Sequence, residues 1–375
     1  PKHILLRSSW QTINIGDIAH TPGMLALLEE LLPETRITLW PNQLSAEVET
    51  LLKTRFPRLK LKGDRDTQEL FAECDFMLHG SGPGLVGGRE MQMWQTTGKP
   101  YGIGGITLSD EELREYGAML KGAKFILCRD SLSIDAAKKS GLKPEFFPDA
   151  TFFLDLKNDA FAERFLAQND LEPKKFACFI PRLRWTPYWI AKPQAYLPSA
   201  IAEKESENAQ FLEIDHAKMR AAIVAWVRQT GHKALLCPEM SYQVELLRPH
   251  LFDPLPDDVK PFVVLKESYW LTDAAAATYA QAAAVLSFEC HSPIMAVVNG
   301  TPAIYLRQPT DTRKGQMWRD VGLCDWLMEI DEVTGDQVAA RLLSLLDAAT
   351  PRHLAAAQNF VAGCRQILLR VIKIT

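Results

Sequence analysis

The chain has 375 residues, of which 47% are apolar and 23% charged, and its formal net charge is −4. Because this length exceeds what one hydrophobic core usually supports, we expect two domains of roughly 150–200 residues each. The weak negative charge and scattered cations exclude a nucleic-acid partner, and no apolar run reaches the roughly 20 residues that cross a bilayer.

Seven cysteines occur without a CxxC pair, which argues against a disulfide framework or a structural zinc site. Free cysteines in apolar segments are usually buried and reduced. This usage predicts a cytoplasmic protein, with an exported protein as the alternative if a targeting segment was removed before Pro1. The cysteines predicted to be buried are Cys74, Cys128, Cys178, Cys237 and Cys290.

The first half alternates short apolar runs with stretches of helical periodicity, a pattern typical of repeated βα units and a parallel sheet. Helices are predicted over Thr21–Leu32 and Asp110–Lys121, from leucines at helical spacing and acidic residues in a first turn. The predicted strands are His3–Arg7, Arg36–Trp40, Asp75–His79, Lys99–Ile103, Lys124–Cys128 and Glu145–Phe147.

The pattern restarts after the polar stretch Lys157–Lys175, so we divide the chain into domains 1–165 and 166–375. This predicts an α/β protein of two Rossmann-like domains facing each other across a cleft, with a last helix near Arg352–Val371 packing across the interface. Thr186–Gln210 is predicted to be an irregular insertion. The second domain's strands are Phe176–Pro181, Lys233–Cys237, Phe262–Leu265, Ala284–Phe288 and Ala303–Leu306, and its helices His216–Gly231, Thr272–Ala282, Ser292–Asn299 and Gly335–Leu346.

Two polar segments follow strands of the first domain, where open parallel sheets bind ligands. Asn14, Gly16 and Asp17 precede the first helix as candidate substrate or catalytic groups, and the alternative is a turn in which Asp17 caps the helix. Ser81 and Gly82 lie in a glycine-rich turn. Its backbone N–H groups either contact an anion or sugar, or the turn is only a tight strand-to-helix connection.

Cations also follow the strands. Arg129, at a helix start, either meets an anionic ligand or forms a surface salt bridge with Asp149. Arg182 and Arg184 alternate beyond the second domain's first strand, and Arg184 is a candidate for bidentate binding of a carboxylate or phosphate. Lys314 lies in a polar loop that either closes over an anionic ligand or is a solvated surface loop.

The segment Ser287–Ser292 is a strand end that runs into a helix. A histidine at a helix start, where the dipole favours the neutral ring, can exchange protons at physiological pH. We therefore treat His291 and Glu289 as candidate catalytic residues, with a structural histidine as the alternative. Ser287 and Ser292 are candidate substrate contacts.

A dedicated metal site is not expected. Asp64-Arg65-Asp66 has the DxD spacing of metal-dependent glycosyltransferases, but it lies in a charged connection without a supporting strand. The sequence contains no HExxH, no GxSxG and no paired Cys/His set.

An ordered set of motifs resembles the polysaccharide pyruvyl transferase family over most of the chain. That resemblance implies two Rossmann domains of the glycosyltransferase-B kind, the first on the acceptor side and the second on the donor side. It also implies transfer of a pyruvyl group from phosphoenolpyruvate, a co-substrate used without a further cofactor, to a sugar or polysaccharide acceptor. The motifs are Asn14-x-Gly16-Asp17, the turn Gly80–Gly88, Arg129-Asp130-x-x-Ser133, Pro148-Asp149 and Ser287-x-x-x-His291 with Gly300-x-Pro302.

The resemblance also implies roles for individual residues. His291 would donate a proton to the enolpyruvyl methylene, Arg129 would bind phosphate or carboxylate, and Lys314 matches a family cation. The family usually reads Ser-x-Arg-x-His, and here Glu289 takes the Arg position. Because a carboxylate beside an anion site costs affinity unless another cation compensates, we expect Glu289 to bind sugar hydroxyls, act as a base, or keep His291 protonated.

Two other functions stay open at this point. One is a glycosyltransferase that uses a nucleotide-sugar donor, since a fold does not fix a function. The other is a non-catalytic glycan-binding relative, with aromatic residues around Trp185–Trp189 stacking on sugar rings. The sequence also leaves a homo-oligomer open.

Overall fold

A computed structural model describes residues 1–373 and divides the chain into two compact units. The first unit contains Pro1–Leu156, Arg313–Gly322 and the residues from Ala356 onward, and the second contains Lys157–Thr312 and Leu323–Ala355. The first change of unit therefore precedes the expected boundary at residue 165. Asn158 accounts for this, because its backbone N–H and side-chain amide donate to Asp273 at 3.0 and 3.1 Å and join the following helix to the second unit.

Within residues 1–373, the first unit is built on a sheet of seven parallel strands in the order β3-β2-β1-β4-β5-β6-β7. The order reverses between β1 and β4, which makes their carboxyl ends the expected ligand edge. The short strand β3 was not predicted. The strands are β1 His3–Ser8, β2 Arg36–Pro41, β3 Lys60–Leu61, β4 Phe76–His79, β5 Tyr101–Ile106, β6 Ile126–Cys128 and β7 Pro144–Phe146.

The second unit is built on six parallel strands in the order β10-β9-β8-β11-β12-β13, counted over the same described part of the chain. Its order reverses between β8 and β11. The central strands are buried along their whole length, as expected when helices cover both faces of a sheet. The strands are β8 Phe176–Ile180, β9 Lys233–Leu236, β10 Val263–Leu265, β11 Ala284–Ser287, β12 Ala303–Arg307 and β13 Leu327–Glu329.

The helices connect these strands in βα units. In chain order they are α1 Ile15–Leu31, α2 Ala46–Arg55, α3 Thr67–Glu73, α4 Gly88–Gln95, α5 Asp110–Glu115, α6 Gly117–Gly122, α7 Ser131–Lys139, α8 Asp159–Gln168, α9 Tyr188–Ala191, α10 Pro198–Thr230, α11 Val244–Leu246, α12 Thr272–Gln281, α13 His291–Val298, α14 Gln316–Asp320, α15 Gly335–Ser344 and α16 Thr350–Lys373.

The segment predicted to be an irregular insertion is largely helical, so that prediction was wrong. After the short helix α9, α10 runs for 33 residues. Pro198 occupies the first turn of α10, and Gly231 ends it with a φ of 69° in the left-handed region. Between them the chain is rich in Ala and Glu, whose intrinsic helix propensity outweighs the disruptive prolines before residue 199.

The five cysteines expected in the core are buried, and Cys324 is exposed. Over residues 1–373, no helix combines the length and the apolar character needed to cross a membrane.

Candidate functional site

In the first unit, Asn14 caps helix α1 after strand β1. Its Oδ1 accepts hydrogen bonds from the N–H groups of Gly16 at 2.7 Å and Asp17 at 3.2 Å. Two of the otherwise unsatisfied N–H groups of the first turn are thereby paired. The cap is Asn14 and not Asp17, which corrects the alternative interpretation of this segment and leaves the Asp17 carboxylate for other contacts.

Asp17 is the first of a series of contacting polar side chains, in which the sequence did not identify His20 and Thr107. Its Oδ1 lies 3.6 Å from His20 Nε2, and His20 Nδ1 lies 2.9 Å from Asp149 Oδ1. Asp149 Oδ2 accepts from the Arg129 guanidinium, whose Nε donates to Thr107 Oγ1 at 2.9 Å. His20 and Asp149 are fully buried and Arg129 is 1% exposed. The expected Arg129–Asp149 pair therefore exists, but in the interior and not on the surface.

Ser81 and Gly82 form a tight turn after strand β4. Ser81 Oγ donates to the Gly105 carbonyl at 2.8 Å and accepts from the Ala150 N–H at 3.0 Å, while Trp10 Nε1 donates to the Ser81 carbonyl at 2.6 Å. A Cβ on Gly82 would lie 2.4 Å from Trp10 Nε1, so only glycine fits there. These contacts are those of a tight strand-to-helix connection, and contact of Ser81 and Gly82 with a ligand stays a prediction.

A buried histidine, His79, closes the same strand and was not singled out by its sequence context. Its Nδ1 lies 2.8 Å from the Gly80 carbonyl, and its Nε2 lies 3.1 Å from the Gly87 N–H. One nitrogen thus donates and the other accepts, which the neutral ring alone can do. Burial, assisted by the charge of Arg7, lowers the pKa of His79 to about 3 against one opposing backbone hydrogen bond.

Lys314 belongs to the first unit and lies half-buried in a turn over Arg313–Gly315. The preceding Arg313 fixes this turn, because it donates to the Leu108 carbonyl at 3.1 Å and to Asp110 Oδ1 at 2.9 Å. The predicted cation loop is thus anchored on the sheet that carries Arg129. The predicted site residues divide between the units, with Asn14, Gly16, Asp17, Ser81, Gly82, Arg129 and Lys314 in the first and Arg184, Ser287, Glu289, His291 and Ser292 in the second.

In the second unit, His291 is the first residue of α13 and is held by a carboxylate that the sequence did not identify. His291 Nδ1 lies 3.3 Å from Oε1 of Glu239, a fully buried residue beyond strand β9. Oε2 of Glu239 accepts from the N–H and the Oγ of Ser292, both at 2.7 Å. The N-terminal N–H groups and dipole of α13 stabilise this carboxylate. With Nδ1 directed at Glu239, Nε2 is the ring nitrogen suited to exchanging a proton with a ligand.

Glu289 has different partners. Its backbone N–H donates to Ser287 Oγ at 2.9 Å, so Ser287 serves the turn after β11. Its Oε1 accepts from Gln243 Nε2 at 2.8 Å and lies 3.4 Å from Arg182 Nε. The structure therefore pairs His291 with Glu239, where the sequence suggested Glu289. The only available signal for Glu239 was a polar residue closely following a predicted strand.

Arg182 is a 7% exposed cation at the carboxyl end of β8. Its NH1 donates to Gln308 Oε1 at 3.0 Å, and its NH2 lies 3.9 Å from Asp311 Oδ1. Burial opposes its charge, but Glu289 and Asp311 outweigh burial and raise the pKa of Arg182 above its ordinary value. Arg182 thus stays protonated beside the candidate catalytic segment.

Arg184, the arginine that the sequence favoured as an anion ligand, is enclosed by protein carboxylates. Its Nε and NH2 donate to the two oxygens of Asp215 at 2.9 and 3.0 Å, and NH2 also reaches Asp331 Oδ1 at 2.5 Å. Its guanidinium carbon lies 3.5 Å from the centroid of the Phe211 ring. Anion binding by Arg184 stays a prediction, and Arg182, which lies nearer the Ser287–Ser292 segment through its contact with Glu289, is a second candidate.

Comparison with solved structures establishes the fold. UDP-GlcNAc 2-epimerase from Methanocaldococcus jannaschii is similar at 13% identity and a TM-score of 0.61, over 100% of this chain and 99% of that one. S. aureus MnaA with UDP is similar at 13% identity and a TM-score of 0.60, over 100% and 96%. E. coli ADP-heptose LPS heptosyltransferase II is similar at 12% identity and a TM-score of 0.53, over 92% and 98%. The predicted fold class, α/β with two Rossmann-like domains of the glycosyltransferase-B kind, is confirmed.

No curated protein matches the sequence. The model of the polysaccharide pyruvyl transferase family matches residues 14–308, which include the Asn14 cap, the Arg129–Asp149 pair and the Glu239–His291 pair. The resemblance inferred from the sequence motifs is confirmed, and the chain belongs to the polysaccharide pyruvyl transferase family.

Proposed function

We propose that this protein transfers a pyruvyl group from phosphoenolpyruvate to a sugar hydroxyl of a polysaccharide or its precursor. Family membership supports a transferase of this kind. The observation that carries the proposal is the Glu239–His291 pair at the start of α13, at 3.3 Å. A histidine supported by a buried carboxylate on one nitrogen is suited to deliver a proton from the other.

In the proposed reaction, His291 Nε2 gives its proton to C3 of phosphoenolpyruvate, and the methylene becomes a methyl group. The C=C electron pair forms the new C–H bond and leaves C2 electron-poor, so that a sugar oxygen bonds to C2 and its proton passes to the His291 Nε2 that gave up its own. The bond between C2 and the bridging phosphate oxygen then breaks, and phosphate departs with the electron pair of that bond. A second hydroxyl of the same sugar adds to C2, and its proton passes to the departing phosphate, which completes a ketal. The Glu239 carboxylate stabilises the protonated ring before transfer and orients it throughout.

Arg182 is the residue that we propose binds the donor's phosphate or carboxylate. It is a buried, protonated guanidinium two residues beyond β8, and Glu289 beside it lies two residues beyond the neighbouring strand β11. A guanidinium suits planar oxyanions, and a water-poor setting strengthens such contacts. Anion binding by Arg129 and Lys314 stays a prediction from the resemblance. Substrate contacts of Asn14 and Gly16, and a catalytic role of Asp17, stay predictions from their position after the first strand. The proposed reaction needs no further cofactor or metal.

The test is turnover by His291→Gln. With phosphoenolpyruvate and methyl β-D-galactopyranoside or methyl β-D-glucopyranoside, which offer the hydroxyl pairs that a ketal requires, we expect phosphate release to fall about 10²–10⁴-fold. The dissociation constant for phosphoenolpyruvate should change little, because the ring acts on C3 and not on the anionic groups. The matched control is His232→Gln, at the amino end of β9, which should keep wild-type turnover.

Thermal-shift measurements decide between this proposal and its rivals, because a ligand that binds only the folded state raises the melting temperature. Stabilisation by UDP-glucose but not by phosphoenolpyruvate would contradict pyruvyl transfer and favour a nucleotide-sugar glycosyltransferase. Stabilisation by the methyl glycosides alone, without phosphate release, would favour a glycan-binding protein.

A further inference from the structure

Glu289 and Arg182 form a buried ion pair across two neighbouring strand ends. Strands β8 and β11 pair in register up to Ile180 and Ser287, and each of the two charged residues lies two positions beyond its strand. The Arg182 Nε and Glu289 Oε1 atoms are 3.4 Å apart, and the residues are 7% and 3% exposed. Low exposure limits the screening of the pair by water, so each charge acts strongly on the other.

Asp311 adds a second carboxylate to the same guanidinium, with its Oδ1 3.9 Å from Arg182 NH2. Arg182 therefore faces two negative groups before any ligand arrives. A phosphate that approaches this cation meets attraction from Arg182 and repulsion from Glu289 and Asp311. Glu289 is the closer of the two carboxylates and is expected to weaken phosphate binding more.

Glu289 is also linked by hydrogen bonds, through Gln243, to Glu239, the residue that contacts His291. Its Oε1 accepts from Gln243 Nε2, and Gln243 Oε1 accepts from the N–H groups of Glu239 and Met240 at 2.7 and 2.9 Å. A neutral glutamine at position 289 retains an acceptor for Gln243, so it removes the charge without removing this hydrogen bond.

We propose that Glu289 is a specificity-determining residue that sets how tightly the donor site holds phosphate groups, by offsetting the charge of Arg182. This inference rests on the proposed function, since it assigns the phosphate of donor and product to Arg182. Glu289 orients the Arg182 guanidinium, and it limits retention of the dianionic product. The family motif places a cation at position 289, and in this chain Arg182, two residues beyond strand β8, provides the cation beside that position.

The experiment is calorimetric titration of the full chain with inorganic phosphate and, separately, with phosphoenolpyruvate. Glu289→Gln should bind both about tenfold more tightly than wild type, the order expected for removing one nearby, partly screened charge. Arg182→Gln should weaken both by at least about tenfold, as expected for losing a charge-assisted contact. In the double variant, losing the cation should outweigh losing the repulsion, so phosphate should bind no more tightly than to wild type.

The matched control is Glu329→Gln. Glu329 accepts from Arg307 NH1 at 3.0 and 3.1 Å, at the ends of the neighbouring strands β12 and β13. The Glu329→Gln variant therefore removes a carboxylate from an arginine outside the Arg182 cluster. The affinity of this variant for phosphate should stay at the wild-type value. If Glu289→Gln fails to fold, Glu289→Ala removes the same charge and should tighten phosphate binding in the same direction.

Unchanged or weaker phosphate binding in Glu289→Gln, with loss of binding in Arg182→Gln, would overturn this inference and leave the proposed function standing. A double variant that binds phosphate as tightly as Glu289→Gln alone would show that Arg182 is not the cation and would overturn the inference as well. If neither phosphate nor phosphoenolpyruvate binds any variant and no phosphate is released, the proposed function fails together with the inference.

Discussion

Two buried carboxylates in the second unit have different tasks because they have different partners. Glu239 contacts the His291 ring and the N–H and hydroxyl of Ser292 in the first turn of α13, whereas Glu289 contacts Arg182 and Gln243. Partners of this kind decide whether a carboxylate supports a proton donor or offsets a cation. We therefore assign Glu239, and not Glu289, as the group that orients His291.

His79 makes stability depend on pH in a definite direction. The folded protein holds its ring neutral, with a pKa near 3, while the unfolded chain takes up a proton near pH 6.5. Stability from the neutral ring is therefore complete above pH 6.5 and is lost as pH falls toward 3, by up to about 1.4 kcal/mol per pH unit. Urea unfolding from pH 7 to pH 4 should show a shallower decline for His79→Gln than for wild type.

The free energy of unfolding of His79→Gln should still fall somewhat as pH falls, because burial lowers the pKa of His216 to about 4. Parallel stability curves for wild type and His79→Gln would show that His79 takes no part in the acid sensitivity.

Arg182 and Arg184 show the limit of pattern reasoning for single side chains. Alternation after strand β8 predicted that both side chains lie on one face, but it could not tell which partners each would find. Arg184 finds Asp215, which is 31 residues away, and Asp331, which is 147 residues away. Because no local pattern encodes contacts over such separations, the assignment of the anion-binding candidate needed the folded chain.

Helix α1 is capped by the side chain of Asn14, where the sequence had suggested Asp17 as the cap. Asn14→Ala should lower the free energy of unfolding by about 1 kcal/mol, because two N–H groups of the first turn lose their acceptor. Denaturant titration measures this loss. Ser45→Ala, which removes the cap of α2, is the matched control and should cost a similar amount without lowering turnover.

Equal stability of Asn14→Ala and wild type would contradict the capping role. Turnover of the same variant separately tests the predicted contact of Asn14 with substrate.

Helix α13 shows how one element can create a site. Its first residue is His291, and no side chain of its own caps it. The N–H of Ser292 is instead taken by Glu239 from the end of β9. The first N–H groups of a helix need hydrogen-bond acceptors, and the Glu239 carboxylate that fills this need therefore lies beside His291.

Both sheets have their earliest strand in the middle, so the strand order reverses beside β1 in the first unit and beside β8 in the second. At such a point the connections leave in opposite directions and the strand ends stay open to a ligand. In each unit the polar residues described above gather at that edge. The family's motifs occur at these edges because the fold exposes backbone and side-chain groups there.

The burial of the cysteines predicts the reactivity of the whole native chain. Of seven cysteines, Cys324 is the exposed one, so a thiol reagent should modify one group per native molecule and all seven after denaturation. Cys324→Ser should leave no rapidly reacting thiol. Rapid modification of two or more groups in the native protein would contradict the burial of the remaining six.

The sequence by itself determined the α/β class, the two runs of βα units, the buried cysteines and the family, because strand periodicity, turn residues and motifs are local properties. It also located His291 at a helix start after a strand. The tertiary structure alone decided which side chains meet. His291 joins Glu239 over 52 residues, Glu289 joins Gln243 over 46, and Arg182 joins Gln308 over 126. Contacts over such separations follow from strand order in the sheet, which brings the ends of β8, β9, β11 and β12 together, and not from neighbouring residues along the chain.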